Sequence, residues 1–258
     1  MIELKLHYQR DHLNLNIHLN LENKIHCFHG ASGIGKTTLA ATFPSPIFIR
    51  VEDGLSSLPD NMMPDAFPLV SSFDDCCHQI TSLITEEHDY KTLIIDSISK
   101  LDRLCTDEIT KGNQGPKALA TALGGYGAGY QALSSMHGRV RKGCQMLIEK
   151  KNMTVVFLAH AELNTVDLPD CEPYQQYGLK MEKKSQSHYI DDVDFVGFLR
   201  LETFVKKEEN KKFKAKSTGE RIIQCCSEAS SVSKNRMGIT EDIIIQYGVN
   251  PFINFLGA

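Results

Sequence analysis

The chain has 258 residues with a formal net charge of −4, and 41% of its residues are hydrophobic and 23% charged. This composition is ordinary for a soluble globular protein, and the charge argues against a surface coated in positive charge, although local basic loops could still bind nucleic acid. The first residues lack the apolar stretch of a signal peptide, and no apolar run approaches the ~18 residues that span a membrane. We therefore expect a cytoplasmic protein with no membrane association.

The first elements are short and lead into a glycine-rich loop. Residues 2–20 alternate apolar and polar side chains around a turn-like break, which predicts a β-hairpin with one buried face. A short apolar strand over Ile25–His29 runs into the loop. A helix over Lys36–Phe43 and a strand over Ile47–Val51 are predicted after it.

The middle of the chain alternates helix and strand. An amphipathic helix is predicted over Ser72–Glu87, with Ser72 and Asp75 as a capping box. The continuous apolar strand Thr92–Asp96 is typical of a strand buried on both faces, and a helix follows it. Residues 111–129 are rich in glycine and predicted to form a loop.

A long helix is expected over about Tyr130 to Lys151, followed by a buried strand over Met153–Ala159 and a polar irregular segment over 161–190. Two late strands are expected over Phe195–Val205 and Arg221–Cys226, joined by a lysine-rich turn at 206–216. This alternation predicts an α/β fold with a mostly parallel central sheet and helices on both faces. We expect one domain over residues 1–258, in which residues 1–23 form the N-terminal hairpin.

The glycine-rich loop has the pattern G-x-x-x-x-G-K-[ST] between a predicted strand and a predicted helix. Its residues are Gly30, Ala31, Ser32, Gly33, Ile34, Gly35, Lys36 and Thr37. The glycines allow main-chain N–H groups to turn inward around phosphate oxygens, and the start of the helix adds the positive end of its dipole. Lys36 is expected to reach the β- and γ-phosphates, and the Thr37 hydroxyl to bind Mg²⁺. The pattern thus predicts a site for ATP and Mg²⁺.

Acidic and imidazole side chains at strand ends are candidates for the rest of the chemistry. Asp96 ends a buried strand and can hold the Mg²⁺ shell. Ser97 stands next to it, where many ATPases carry the glutamate that activates water, so Glu52 or the adjacent Asp53 is the candidate for that role. The alternative is that Glu52 only starts a turn. His160 ends an otherwise apolar strand and could sense the γ-phosphate, although a lone histidine is more often an ordinary core or surface residue.

Six short sequence elements occur along the chain in an order that can be compared with known families. They are Gly30–Thr38, Phe48–Gly54, Leu93–Ser97, Tyr126–Tyr130, Phe157–His160 and Lys234–Arg236. This order resembles the phage-type nucleotide-binding AAA proteins with a RecA-like core. Among these, the chain is most similar to the ATPases of phage recombination modules, which bind single-stranded DNA and promote annealing. The resemblance implies a RecA-like P-loop NTPase fold.

The resemblance also implies roles for individual residues. A glutamate that ends the second core strand activates water in RecA-like proteins, and Glu52 occupies that place. A polar residue that ends the strand after the Mg²⁺-binding strand senses the γ-phosphate, and His160 matches it. Thr38 would join the loop in binding the nucleotide. RecA-like filaments insert basic residues into the neighbouring subunit's site, and Lys234 and Arg236 resemble that catalytic pair, with a solvated surface turn as the alternative.

RecA-like cores bind DNA through two loops, which the resemblance places at 111–129 and 161–190. The second holds Lys180, Lys183 and Lys184 near tyrosines. Cations beside aromatic rings suit single-stranded DNA because they combine phosphate attraction with base stacking. The same segment also carries acidic residues, so an ordinary solvated loop is the alternative.

We therefore expect a Mg²⁺-dependent ATPase, stimulated by single-stranded DNA, that supports phage-type recombination and annealing. It would form a homo-oligomer or filament with ATP sites at subunit interfaces, with a phage single-strand-binding protein as a further partner. One alternative is a small-molecule phosphotransferase, which usually needs an arginine-bearing lid, and 161–190 contains no arginine. Another is a nucleotide-switched binding module such as a helicase loader. A hairpin before a P-loop also resembles ABC-type ATPases, but the chain has no LSGGQ-like signature.

Overall fold

The computed structural model describes residues 25–111, 118–207 and 213–253. The predicted hairpin over residues 2–20, within the extension 1–23, lies outside these residues. The described residues form one sheet flanked by helices. The strands are β1 (Ile25–Gly30), β2 (Pro46–Arg50), β3 (Asp65–Ala66), β4 (Thr92–Asp96), β5 (Thr154–Val166), β6 (Tyr174–Leu179), β7 (Phe195–Lys207), β8 (Phe213–Gln224), β9 (Lys234–Asn235) and β10 (Ile243–Ile244). The helices are α1 (Lys36–Ala40), α2 (Phe73–Thr85), α3 (Ile98–Thr110), α4 (Ala128–Lys151) and α5 (Lys183–Ile190).

The centre of the sheet is parallel. The strands lie in the order β10-β8-β7-β1-β5-β4-β2-β3, with β6 added to β5 and β9 added to β7. Every neighbouring pair from β7 to β3 is parallel, whereas β6, β8, β9 and β10 pair antiparallel with their neighbours. Parallel neighbours require crossover connections, which the helices supply. The predicted α/β fold with a mostly parallel central sheet is confirmed.

The core has two layers because successive side chains of a strand point to opposite faces of the sheet. Leu93 and Ile95 pack into the cluster covered by α2, α3, α4 and α5. Ile94 packs into the other cluster, which α1, a 3-10 turn at Leu55–Ser57 and a C-terminal segment ending near Phe252 cover. Helices therefore lie on both faces, as predicted, but short elements and the C-terminal segment cover the second face.

Helix α2 begins at the predicted capping box. The Ser72 hydroxyl accepts a hydrogen bond from Asp75 N–H at 3.1 Å, and the Asp75 carboxylate accepts one from Ser72 N–H at 3.0 Å. These bonds satisfy two N–H groups that would otherwise lack partners at the start of the helix. The box therefore fixes the point at which the helix begins.

A buried polar network joins α3, α4 and α5. His137 Nε2 donates to Asp102 Oδ1 at 3.0 Å, and His137 Nδ1 accepts from the Tyr189 hydroxyl at 2.8 Å. The second carboxylate oxygen of Asp102 accepts from Glu182 N–H at 3.2 Å. Buried polar groups are costly without hydrogen bonds, so this network holds the start of α5 in a defined position against α3.

Most of the segment 161–190 forms strands and a helix, which corrects the prediction of a polar, irregular segment, whereas residues 167–173 are irregular as predicted. Strand β5 continues past Ala159 to Val166 and pairs with β6, and α5 follows. From Ala161 to Val166 no residue is fully buried. The apolar alternation that identifies a strand in a sequence is therefore weak in this part of β5.

Several boundaries also differ from the prediction. Helix α1 ends at Ala40 rather than Phe43, and α4 begins at Ala128 rather than Tyr130. Strands β7 and β8 reach further toward each other than expected, which shortens the predicted turn at 206–216. Within the described residues, no helix is both long and apolar enough to cross a membrane.

Candidate active site

The loop that follows β1 depends on glycine at three positions. Gly33 and Gly35 have φ angles of +76° and +103°, which residues with a side chain rarely adopt. A Cβ at Gly30 would lie 2.6 Å from the main-chain oxygen of Leu199 on β7. The loop can therefore keep this shape, close against the sheet, only with glycine at these positions.

Lys36 lies inside the loop it follows. Its ammonium donates hydrogen bonds to the main-chain oxygens of Gly30 at 3.0 Å and Ala31 at 2.9 Å. Burial lowers the pKa of Lys36, and the nearby carboxylates of Asp96 and Glu52 oppose this effect. A partly desolvated ammonium group held inside a phosphate-binding loop is suited to bind an anion.

The predicted Mg²⁺ ligands face each other at the end of β4. Thr37 Oγ1 donates to Asp96 Oδ2 at 2.8 Å. Burial raises the pKa of the Asp96 carboxyl to about 6, against the opposing hydrogen bond from Thr37. A Cβ on Gly54 would lie 3.2 Å from Asp96 Oδ2 and 3.3 Å from Thr37 Oγ1, so the absence of a side chain leaves space beside both oxygens. Hydroxyl and carboxylate oxygens with adjacent space for water fit the oxygen ligands that Mg²⁺ prefers.

Glu52 and His160 form the second pair of the site. Strands β2, β4 and β5 are parallel neighbours, so their carboxyl ends bring the two residues together although 108 positions separate them. His160 Nε2 donates to both carboxylate oxygens of Glu52, at 3.0 and 3.2 Å. Burial alone would raise the pKa of Glu52, but hydrogen bonds from His160 and Ser97 outweigh it and hold the pKa below its usual value. Glu52 is therefore ionised at neutral pH.

Asp53, the other candidate for water activation, also lines the cavity described below but is much more exposed than Glu52. Its side chain is 65% exposed and lies 3.7 Å from the Arg50 guanidinium. Glu52, by contrast, is half-buried and bonded to His160. The geometry therefore favours Glu52 over Asp53 as the residue that acts on water.

These groups surround one cavity of about 510 Å³, within the range of small-molecule sites. The cavity is lined by Ser32, Gly33, Gly35, Lys36, Thr37, Thr38, Glu52, Asp53, Gly54, Ser56, Ser57, Asp96, His160, Arg221 and Tyr247. Arg221 and Tyr247 were not identified from the sequence. They come from β8 and the segment after β10, and no local motif marks them because the sheet order alone brings them to the loop.

Lys234 and Arg236 lie away from this cavity. Lys234 begins β9 and Arg236 follows it, and β9 pairs with the first residues of β7, whereas the loop stands beside Leu199 further along that strand. The Lys234 ammonium donates to the main-chain oxygens of Ile190 and Asp191 at the end of α5. Arg236 is more than half exposed and lies 3.9 Å from Asp194. Neither residue lines the cavity of its own chain, so the predicted catalytic role for them calls for a neighbouring copy.

The predicted DNA-contacting lysines are exposed, and Lys180 is bonded to the active-site residue His160. Lys180 N–H donates to the main-chain oxygen of His160 at 2.8 Å, and Lys183 and Lys184 open helix α5. The Lys184 ammonium lies 5.5 Å from the ring centroid of Tyr130, which follows the glycine-rich segment. A Cβ at Gly127 would lie 4.0 Å from the same ammonium, so the two segments predicted to bind DNA meet in the described part of the chain.

A sequence family described as AAA domain matches residues 22–237, which is more than half of the chain. The chain belongs to this AAA-domain family. Membership agrees with the complete P-loop, and the AAA domain is a nucleotide-binding P-loop protein. A comparison with curated proteins finds no match.

Among solved structures, the AAA domain is similar to one titled "Crystal structure of the RadB recombinase". The two chains are 14% identical, the TM-score is 0.44, and the match covers 78% of this chain and 80% of that chain. A likeness at this level carries no argument about function. The fold assignment rests instead on the strand order and the parallel pairing of the sheet.

Proposed function

We propose that this AAA domain is a Mg²⁺-dependent ATPase that is stimulated by single-stranded DNA and acts in phage-type recombination and annealing. The observation that carries the proposal is the Glu52–His160 pair beside the Thr37–Asp96 pair in one cavity. The first pair can act on water and on the terminal phosphate, and the second can hold Mg²⁺. A site that only bound nucleotide would not need the first pair.

Each side chain has a separate task in the proposed reaction. Glu52, ionised at neutral pH, orients a water molecule and takes its proton as the water oxygen attacks the γ-phosphorus. The bond from the γ-phosphorus to the β–γ bridging oxygen breaks, which gives ADP and inorganic phosphate. Lys36 stabilises the charge on the phosphate oxygens. Bound by Thr37 and Asp96, Mg²⁺ would neutralise part of that charge.

The link to DNA rests on Lys180, Lys183 and Lys184 and on the hydrogen bond that joins Lys180 to the active site. Strand β5 carries His160, and the Lys180 N–H bonds directly to the main-chain oxygen of that residue. Lys184 lies near Tyr130, and Tyr126 in the neighbouring turn is fully exposed. Exposed cations beside an exposed ring suit single strands, whose phosphates and unstacked bases are both accessible. DNA bound there would contact the segment that positions His160.

The proposed assembly is a homo-oligomer or filament in which one copy's Lys234 and Arg236 approach the next copy's cavity. Neither residue lines the cavity of its own chain, and Arg236, which is more than half exposed, could reach outward by giving up its contact with Asp194. Head-to-tail contacts of this kind build open filaments or closed rings. A phage single-strand-binding protein is proposed as a further partner, in the cytoplasm of the host.

The proposal is tested by measuring ATP turnover with and without single-stranded DNA, together with electron microscopy in the presence of a non-hydrolysable ATP analogue. We expect DNA to raise turnover and to produce oligomers or filaments. In a Tyr126→Ala/Lys184→Ala variant, the stimulation by DNA should fall toward none. Lys150→Ala is the matched control, because this exposed lysine lies on α4 about 30 Å from Tyr130 along the helix.

Other outcomes would favour the alternatives. Unchanged monomers with and without DNA, together with turnover that DNA does not alter, would contradict the proposal. Slow hydrolysis with a stable helicase complex and no oligomer on DNA would favour a helicase loader. Turnover that depends on a small-molecule acceptor would favour a phosphotransferase.

A further inference from the structure

A groove adjoins the phosphate-loop cavity on the side away from Glu52 and His160. Gly35, Thr38, Arg221 and Tyr247 line both the cavity and the groove. The groove continues along the turn at residues 245–249 and the outer side of α1. The cavity therefore opens toward this turn, at the end opposite to the water-activating pair.

Several hydrogen bonds hold the turn at residues 245–249, which lines the groove, in place. Strand β10 pairs with β8, and Ile245 N–H donates to the main-chain oxygen of Arg221 at 2.8 Å. The Asn250 side chain donates to the main-chain oxygen of Thr42, just after α1, at 3.4 Å. The turn is thus attached both to the strand that carries Arg221 and to the helix that follows the phosphate loop.

The sheet order gives a direction to any nucleotide in the cavity. On one side of β1 lie β5, β4 and β2, which carry His160, Asp96 and Glu52 at their ends. On the other side lie β7 and β8, the strand of Arg221. The γ-phosphate must face the groups that act on it, so the α-phosphate and the ribose face Arg221 and the groove.

The Arg221 side chain is positioned beside the phosphate loop. A Cβ at Gly35 would lie 3.6 Å from its Cδ and 3.7 Å from its Nε, so the side chain runs directly alongside the loop. The residue is exposed, and its guanidinium makes no ion pair or hydrogen bond within residues 25–111, 118–207 and 213–253. A guanidinium offers five donors in a planar fork that matches phosphate geometry.

We propose that Arg221 is a further nucleotide-binding residue, which contacts the α- and β-phosphates from within the same chain. The inference rests on the proposed function, since it presumes that a nucleotide occupies the loop. This role for Arg221 divides the nucleotide site into two parts. Diphosphate binding is completed by one chain, whereas the neighbouring chain contributes only to events at the γ-phosphate.

The test compares the affinities of Mg²⁺–ADP and Mg²⁺–ATP by calorimetry for the wild type, Arg221→Ala and Arg221→Lys. The alanine variant should bind both nucleotides about tenfold or more weakly, by similar factors, because the lost contacts are common to both. Lysine should restore part of the loss, since it returns the charge without the fork. The wild-type affinity for ADP should not change when the protein is diluted.

Arg200→Ala is the matched control. This arginine lies on β7 next to β8, pairs with Asp242 at 3.4 Å and does not line the cavity. Equal ADP affinity in Arg221→Ala and the wild type would overturn the inference, as would a loss confined to ATP. Failure of the proposed function is distinguishable, because ATP turnover would then be absent or unaffected by single-stranded DNA, whereas the effect of Arg221→Ala on the affinities for ADP and ATP would still be measured.

Discussion

Gly54→Ala should separate catalysis from folding. The residue has φ −94° and ψ −16°, which alanine adopts without strain, and a Gly→Ala change in such a conformation typically adds about 0.4–1 kcal/mol of stability. The new methyl group would lie 3.2 Å from Asp96 Oδ2 and 3.3 Å from Thr37 Oγ1, closer than ordinary contact distance. We therefore expect the free energy of unfolding to stay within about 1 kcal/mol of the wild type.

The effect on activity should be much larger. Mg²⁺ requires near-ideal octahedral geometry, and a methyl group beside two of its ligands would displace water from its shell. We expect turnover at a fixed low Mg²⁺ concentration to fall at least about tenfold, equivalent to about 1.4 kcal/mol. The measurement is phosphate release across a Mg²⁺ titration, which should show a higher half-saturating concentration.

Gly138→Ala is the control for that experiment, because a Cβ there would meet His188 Cε1 at an ordinary 3.5 Å in the middle of α4. It should leave the Mg²⁺ titration unchanged. An unaltered titration in Gly54→Ala, with the fold intact, would refute the placement of Mg²⁺ between Thr37 and Asp96.

Three further predictions concern stability, each measured by urea unfolding. Tyr189→Phe leaves buried His137 Nδ1 without a donor and should cost about 1–3 kcal/mol, and a loss below about 0.5 kcal/mol would argue against that bond. Ser72→Ala removes the acceptor for Asp75 N–H and should cost about 1 kcal/mol, whereas no loss would mean that the cap contributes nothing. Burial lowers the pKa of His29 from 6.5 to about 4, so between these values the unfolded chain binds a proton that the folded chain does not. Stability should therefore fall as pH falls through this window, by about 3 kcal/mol in all, and His29→Gln should remove that part of the dependence.

The regular elements of this fold could be predicted because their signals are local. The apolar run Thr92–Asp96 and the Ser72–Asp75 box each identify an element from a few adjacent residues. The β5–β6 ribbon could not be predicted in the same way. Its pairing joins residues such as Leu163 and Tyr177, which are both well exposed, so burial leaves little pattern in the sequence.

The residues of the candidate site also differ in how far the sequence predicts them. The loop is marked by a contiguous motif, and Asp96 by its position at the end of an apolar strand. The structure brings Glu52 and His160 together, whereas the residues alone left Asp53 as an adjacent competitor for the role of Glu52. Arg221 has no comparable signal, because its position beside Gly35 results from β8 lying two strands away from β1.

The central claim is that Glu52 activates water for ATP hydrolysis. The direct measurement is ATP turnover by Glu52→Gln with single-stranded DNA present, alongside Asp53→Asn as the control with the same change at the exposed neighbour. The account predicts a loss of about 100-fold or more in Glu52→Gln with ATP binding retained, and little change in Asp53→Asn. Turnover by Glu52→Gln within a few-fold of the wild type would contradict it.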